Sequence, residues 1–306
     1  MIPILPLRLA WRLEGSLRLP RYAGSLWRSA IGASLRRHAC VTGAKTCDGC
    51  PLLARCAYGF LFDTPQPALG DKGLAQYAQI PHPYVLSPRH QGREHAANGE
   101  LALDVILIGP GHRFLADLLT AIHALRLGPA QARLQRIAIL PLQPGHTEAA
   151  ETVTVARVLD AAPQTPTPPA APPAARIVFE HPLRLRRNNQ YLHPKDFDFR
   201  AFFTHLTRRI SMLHRLCQAS ALQADFAQLK HIADSVALAG SDLHWFDWHR
   251  QSARQNRRIP MGGLVGHIDV RGNLQPLWPW LWAGQWLHCG KGAVMGLGRY
   301  RIEFDG

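Results

Sequence analysis

Four cysteines stand close together near the start of this 306-residue chain: Cys40, Cys47, Cys50 and Cys56, spaced C-x6-C-x2-C-x5-C. A CxxC pair makes a tight knuckle, and flanking thiolates can close a tetrahedral metal site around it. The residues between them (Thr42, Gly43, Asp48, Gly49, Pro51) are turn formers, as a knuckle needs. The spacing predicts a structural zinc site with no open coordination position. An iron–sulfur cluster would take the same thiolates. Cys217 sits at helical spacing with Leu213 and reads as core; Cys289 has no assignment.

His38 is the only histidine in the first 80 residues. It falls at the end of a predicted helix, four residues after Ser34. An imidazole near neutrality can serve as general base toward an RNA 2′-hydroxyl. The same position equally suits a solvent-exposed helix end, a cation at the helix dipole or a metal ligand beside Cys40. His112, in "GPGHRF", reads as a structural residue at the start of a second helix. His267 and His288 flank glycine-rich turns and could face a bound backbone.

Two arginine clusters follow. "HPLRLRR" (181–187) puts Arg184 and Arg186 on one strand face. "HRQSARQNRR" (249–258) carries Arg250, Arg254, Gln255, Arg257 and Arg258 close to Trp245 and Trp248. Guanidinium groups contact phosphates, and nearby aromatics can stack on unpaired bases. The chain then closes on "HCGKGAVMGLGRYRIEF", with Gly290, Gly292, Gly296 and Gly298 in nine residues. Neither GxGxxG nor GxxxxGK[ST] is present there, so this is not an ordinary nucleotide-phosphate loop.

The composition agrees with a polyanionic partner. Lys and Arg number 35 against 21 Asp and Glu, a net charge of +14. No apolar run reaches the length of a membrane span. The start, "MIPILPLRLAWRLEGSLRL", is broken by Arg8, Arg12 and Glu14 and does not read as a signal peptide. A cytoplasmic protein is expected, where disulfides are rare.

The elements that must hold these residues fall into two halves. "DAAPQTPTPPAAPPAA" (160–175) reads as an extended linker between residues 1–159 and 176–306. In the first half, the alternation of Leu5, Leu7, Leu9, Trp11 and Leu13 predicts a half-buried strand. "YAGSLWRSAIGASLRRH" keeps helical spacing, with Ser25 as a candidate cap. "PHPYVLSP" reads as an edge strand, 99–109 as a strand, 112–128 as a helix and 134–143 as a strand. The second half reads as a strand at 175–187, a long amphipathic helix at 199–218, a strand at 262–272, a short helix at 274–290 and a closing strand at 294–304. Both halves therefore follow strand, helix, strands, helix, strand. That is an α+β fold of two tandem ferredoxin-like (RRM-like) domains with antiparallel sheets. The first carries the cysteine segment as an insertion, and the second carries the glycine-rich loop.

The ending "GKGAVMGLGRY" resembles the glycine-rich loop of the RAMP superfamily of CRISPR-associated proteins. "WHRQSARQNRRIPMGGLVGHI" and "LHCGKGAVMGLGRYRI" resemble the C-terminal domain of its repeat-RNA processing endoribonucleases. "YAGSLWRSAIGASLRRH", "CDGCPLLARCAYGFLFDTP" and "PHPYVLSP" resemble their N-terminal half. The resemblance covers most of the chain, excluding the linker. It implies binding of a CRISPR repeat and one metal-independent cut in the precursor transcript, by 2′-hydroxyl attack, leaving a 2′,3′-cyclic phosphate. It implies His38 as the base, with Tyr22, Arg21 and Lys45 as alternatives or helpers and Arg28 among the RNA contacts. It implies that the glycine loop lets the RNA backbone lie close, with His288, Lys291 and Arg299 beside it. Other CRISPR effector subunits are the implied protein partners. The alternative on the same fold is a non-catalytic RNA-binding subunit of an effector complex.

Overall fold

The computed structural model describes residues 1–65, 80–92, 94–123, 125–128, 131–142, 151–218, 222–252 and 257–304. The chain divides into two compact units. One is Ile2–Thr165 with Met212–Ser220; the other is Met1, Pro166–Ser211 and Ala221–Gly306.

The N-terminal unit runs β1 (Ile4–Glu14), α1 (Gly24–Ala39), α2 (Ala57–Phe62), β2 (Tyr84–Pro88), β3 (Glu100–Ile108), α3 (Leu115–His123), β4 (Arg126–Leu127), β5 (Ala132–Pro141) and α4 (Val155–Leu159). The sheet order is β2-β3-β1-β5-β4. β1 is central. It pairs antiparallel with β3, from Ile4 opposite Ile108 to Arg12 opposite Glu100, and with β5 on its other side. Counting the long strands as one to four in chain order, the sheet reads two-three-one-four, with a helix after the first and third. This is the ferredoxin-like arrangement. Leu7, Leu9, Trp11 and Leu13 are buried, as period-two alternation dictates. Within the sheet, Arg8 faces Asp104 across the register, with Nε 2.6 Å from Oδ1 and Nη2 3.2 Å from Oδ2.

The C-terminal unit repeats the plan. It runs β6 (Ala174–Leu183), β7 (Arg186–Arg187), β8 (Gln190–Tyr191), α5 (Phe199–Gln218), α6 (Phe226–Ser235), β9 (Ala237–Phe246), β10 (His249–Ser252), β11 (Arg257–Pro260), β12 (Gly263–Arg271), α7 (Trp278–Leu287) and β13 (Tyr300–Glu303). Its sheet order is β9-β12-β6-β13, again two-three-one-four. Phe179 of β6, Phe202 of α5 and Tyr300 of β13 meet edge to face, with centroids 5.3 Å apart for Phe179–Phe202 and 5.4 Å for Phe202–Tyr300. Two hairpins, β7–β8 and β10–β11, project from this frame.

The structure adjusts several sequence expectations. α1 is preceded by Ala23 rather than capped by Ser25, and no side chain caps it. The segment 112–128 is preceded by a 3-10 turn over Gly109–Phe114, with Pro110 in its first turn, and becomes α-helical only at Leu115. β9 and α6 were not foreseen. The Pro/Ala segment is extended but anchored in each unit by its own contacts. Gln164 exchanges two 2.8 Å backbone hydrogen bonds with Ile4, and Trp278 Nε1 donates to the Pro169 carbonyl at 3.0 Å. Among the described residues, no helix is long and apolar enough to cross a membrane.

Candidate active site

α1 buries Trp27, Ile31 and Leu35 against the sheet, with Trp27 stacked on Trp11 at 5.0 Å. One face of the same helix meets α3 in two successive rungs. Ser34 Oγ donates to the Ala121 carbonyl at 2.7 Å. One turn on, His38 Nε2 lies 3.4 Å from Asp117 Oδ1. The spacing of four on both helices, 34 to 38 and 117 to 121, makes the pairing antiparallel. The two side chains are 37% and 40% exposed, so the imidazole is both partnered and reachable. A carboxylate beside Nε2 favours a proton there and leaves the Nδ1 lone pair as the basic atom.

Asp117 was not singled out in the sequence. Its signal lay only in its place in the first turn of a helix, and its partner stands in another element. Around His38 the backbone is held by Arg36, whose Nη2 donates to the Ala44 and Lys45 carbonyls at 2.6 and 2.7 Å. Lys45 and Arg21 are exposed, and Arg28 lies over the Phe62 ring at 5.5 Å. Tyr22 requires a correction: at 1% exposure its ring is part of the core, so it is not offered to a substrate.

The thiols also differ from expectation. All four cysteines are described, yet among the described residues no group of three or more His, Cys, Asp or Glu side chains is disposed to hold a metal ion. Cys40, just past α1, turns its Sγ to Thr42 Oγ1 at 3.6 Å, and hydrogen bonding there lowers its pKa. Cys56 Sγ faces the Ala39 carbonyl at 3.8 Å. Burial, then the Asp63 carboxylate beside it, pushes Cys47 up to about 11.

The C-terminal unit sorts its cations into buried and exposed. Arg184 is 6% exposed and is spent on structure: its Nε donates to the Gly262 carbonyl at 3.0 Å and its Nη2 to Pro260 at 3.2 Å. Burial works against its charge. His288 is 1% exposed with Nδ1 toward the Leu297 carbonyl at 3.3 Å, and burial drives its pKa well below the ordinary value. Arg299 pairs with Glu180 at 2.7 Å. These three expected RNA contacts therefore hold the fold. Arg250 is half-buried, its Nη1 3.9 Å from Met295 Sδ. Trp248 is buried, while Trp245 stacks on His193 at 4.3 Å. Lys291, Arg258 and Arg186 are exposed. Arg254 and Gln255 lie outside the described residues, as does the side chain of Arg257.

The glycine loop follows α7. Gly290 and Gly298 take φ of +81° and +65°. A Cβ at Gly290 would come 2.6 Å from the Arg184 carbonyl, and one at Gly298 would come 1.8 Å from the Cys289 carbonyl. Two of the four glycines are thus required by the loop's own backbone, which crosses itself and the end of β6. Lys291 N–H donates to the Arg184 carbonyl at 2.9 Å, fixing the loop and leaving the lysine side chain outside.

Comparison with known proteins gives the same outline. Residues 177–300 match the family model of the CRISPR-associated endoribonuclease Cas6, and residues 2–164 match the model of an N-terminal domain, AF_1859_N. No curated protein matches the sequence. Among solved structures, a Thermus thermophilus Cas6 in a product complex has a TM-score of 0.59 at 15% identity, covering 98% of this chain and 99% of that one. A second Cas6 product complex gives 0.54 at 18% identity, covering 99% and 100%. A partial Cas6-RT-Cas1–Cas2 complex gives 0.55 at 12%, covering 99% of this chain and 46% of that one. At these identities the likeness speaks for the fold. The solved Cas6 structures and this chain share the doubled ferredoxin-like fold. The Cas6 match is carried by residues 177–300 of the C-terminal half.

Proposed function

We propose that this chain binds the CRISPR repeat and cuts the precursor once, with no metal in the chemical step. His38 Nδ1 takes the proton of the 2′-hydroxyl as O2′ bonds to the adjacent phosphorus. The P–O5′ bond breaks, giving a 2′,3′-cyclic phosphate and, once protonated, a 5′-hydroxyl. Asp117 balances the positive charge that the imidazole gains. Lys291 and Arg258 meet phosphates of the bound strand, while Lys45 and Arg21 contribute cations in the N-terminal unit. The observation that carries this reading is the His38–Asp117 pair, 3.4 Å apart and open to solvent at the end of α1. Solved relatives include Cas6 proteins with product and with a substrate mimic, a histidine-to-alanine mutant, and an assembly with Cas1 and Cas2. Other CRISPR proteins are accordingly the proposed protein partners.

The test is end-labelled repeat RNA from the genome that encodes the chain, incubated with the protein in EDTA. A control RNA carries a 2′-deoxy nucleotide at the cut. One cut, blocked by that substitution, is expected. Tight binding without cutting would replace this reading with the non-catalytic RNA-binding subunit.

A further inference from the structure

The C-terminal unit contains a groove of about 780 Å³ that the reaction above does not use. Its walls come from the β7–β8 hairpin, the first turns of α5, the outer side of α6 and the start of β9. Its volume lies in the range of small-ligand sites, roughly 300–1,000 Å³. Among its lining residues, Phe199, Ala233, Val236 and Leu238 are apolar. Leu238 is 39% exposed.

The rim is cationic, and the charges can be counted. Arg186, Arg187, Arg200 and Lys230 face Asp198 and Asp234. Arg187 pairs with Asp198, and Arg200 pairs with Asp234 at 3.2 Å. Asp198 is further occupied as the cap of α5, accepting from the Ala201 N–H at 2.6 Å. Both carboxylates are therefore neutralised. Among the described residues, neither Arg186 nor Lys230 forms an ion pair, so two positive charges remain for a ligand. The hairpin carrying Arg186 is held in place, because His205 Nε2 donates to the Arg186 carbonyl at 2.9 Å. Arg186 itself lies over the Tyr191 ring at 5.2 Å, and one of its N–H groups donates to the Asn189 carbonyl at 2.7 Å. Its remaining donors are not used there.

Apolar lining beside two uncompensated cations matches one unpaired nucleotide, its base against the apolar side chains and its phosphate at the cations. A duplex would keep its base faces stacked away from such a lining. We infer that this groove is a second RNA site, separate from the cutting step, which seats a single-stranded nucleotide of the bound repeat between Arg186 and Lys230. The inference rests on the chain being an RNA binder.

The experiment measures Kd for single-stranded repeat RNA across a salt series, using the full chain and the variants Lys230→Ala, Arg186→Ala and Lys195→Ala. Lys195 is exposed, outside the groove, and carries the same charge. A phosphate contact on a single strand adds about 0.7 to the slope of log K against log salt, which is about fourfold in Kd at 0.15 M salt. Lys230→Ala and Arg186→Ala should each lose that amount, Lys230→Arg should keep it, and Lys195→Ala should change the slope by much less. Wild-type binding with an unchanged slope in both groove variants would overturn the groove and leave the RNA reading standing; an acidic peptide as the true occupant would give that result. An equal loss in Lys195→Ala would overturn it too, as the effect of net charge alone. No RNA binding by the wild type would overturn the functional reading, and this inference with it.

Discussion

Replacing His38 and Asp117 separately divides the chemistry between base and helper, and the structure sets the sizes. A positioned general base contributes about 10²–10⁴-fold, so His38→Ala should cut the single-turnover rate in EDTA by that factor while leaving Kd nearly unchanged. Asp117 acts only through the imidazole. The two side chains are 37% and 40% exposed and 3.4 Å apart. An ion pair so exposed is worth roughly 0.2–1 kcal/mol, and at about 1.36 kcal/mol per tenfold this becomes about 1.4- to 5-fold in rate for Asp117→Asn. The assay is single-turnover cleavage of labelled repeat RNA, followed across pH so that a change in the base's titration is visible. The gap between wild type and Asp117→Asn should narrow in high salt, which screens exposed pairs. A loss below tenfold in His38→Ala would refute His38 as the base. A loss in Asp117→Asn as large as in His38→Ala would refute its role as a positioning residue.

Asp104 is 2% exposed beneath Arg8, so Asp104→Leu should cost about 3–5 kcal/mol by stranding a charge, with much of that recovered in the Arg8→Met/Asp104→Leu double variant. Chemical denaturation of the three proteins checks it, and a single variant within 1 kcal/mol of wild type would speak against a buried pair. Gly298→Ala and Gly43→Ala share φ of +65°, but a Cβ at 298 meets the Cys289 carbonyl at 1.8 Å while one at 43 meets nothing within 4 Å. The second should cost about 1–2 kcal/mol and the first clearly more; equal denaturation midpoints would contradict the loop geometry. Iodoacetamide at mildly alkaline pH should label Cys40 first, because hydrogen bonds lower its pKa. Cys47, pushed up to about 11 by burial, and Cys289, pushed up to about 12, should lag. Peptide mapping by mass spectrometry reads the order, and four thiols protected together until a chelator is added would instead mean a bound metal.

Sequence pattern was most informative where one face of an element is buried. β1 shows its alternation because Leu7, Leu9, Trp11 and Leu13 all point into one core. α5 shows its stripe for the same reason, with Phe199, Phe203, Leu206 and Ile210 buried. β9 was invisible because it is an edge strand with most residues exposed on both faces, so no period survives. At the candidate site, His38 was singled out for its rarity and its place at a helix end, and the structure puts it beside Asp117. Asp117 was not, since the rung between α1 and α3 is a tertiary contact. Tyr22 and Arg184 misled for one reason: their polar tips resemble surface groups in sequence, while their bodies pack inside. The glycine loop was recognised, but the need for Gly290 and Gly298 comes from the chain's own carbonyls.

α5 is one continuous helix, yet its residues up to Ser211 belong to the C-terminal unit and Met212 onward to the N-terminal one. Cys217 in its last turn lies so close to Gly109 that a Cβ there would come 2.3 Å from its sulfur. The Pro/Ala segment is therefore a poor place to cut the gene. A fragment ending there would lack a piece of its own core, supplied from more than forty residues downstream. The two halves look like a duplicated module that can be shuffled, but the N-terminal unit is completed only when both are made as one polypeptide.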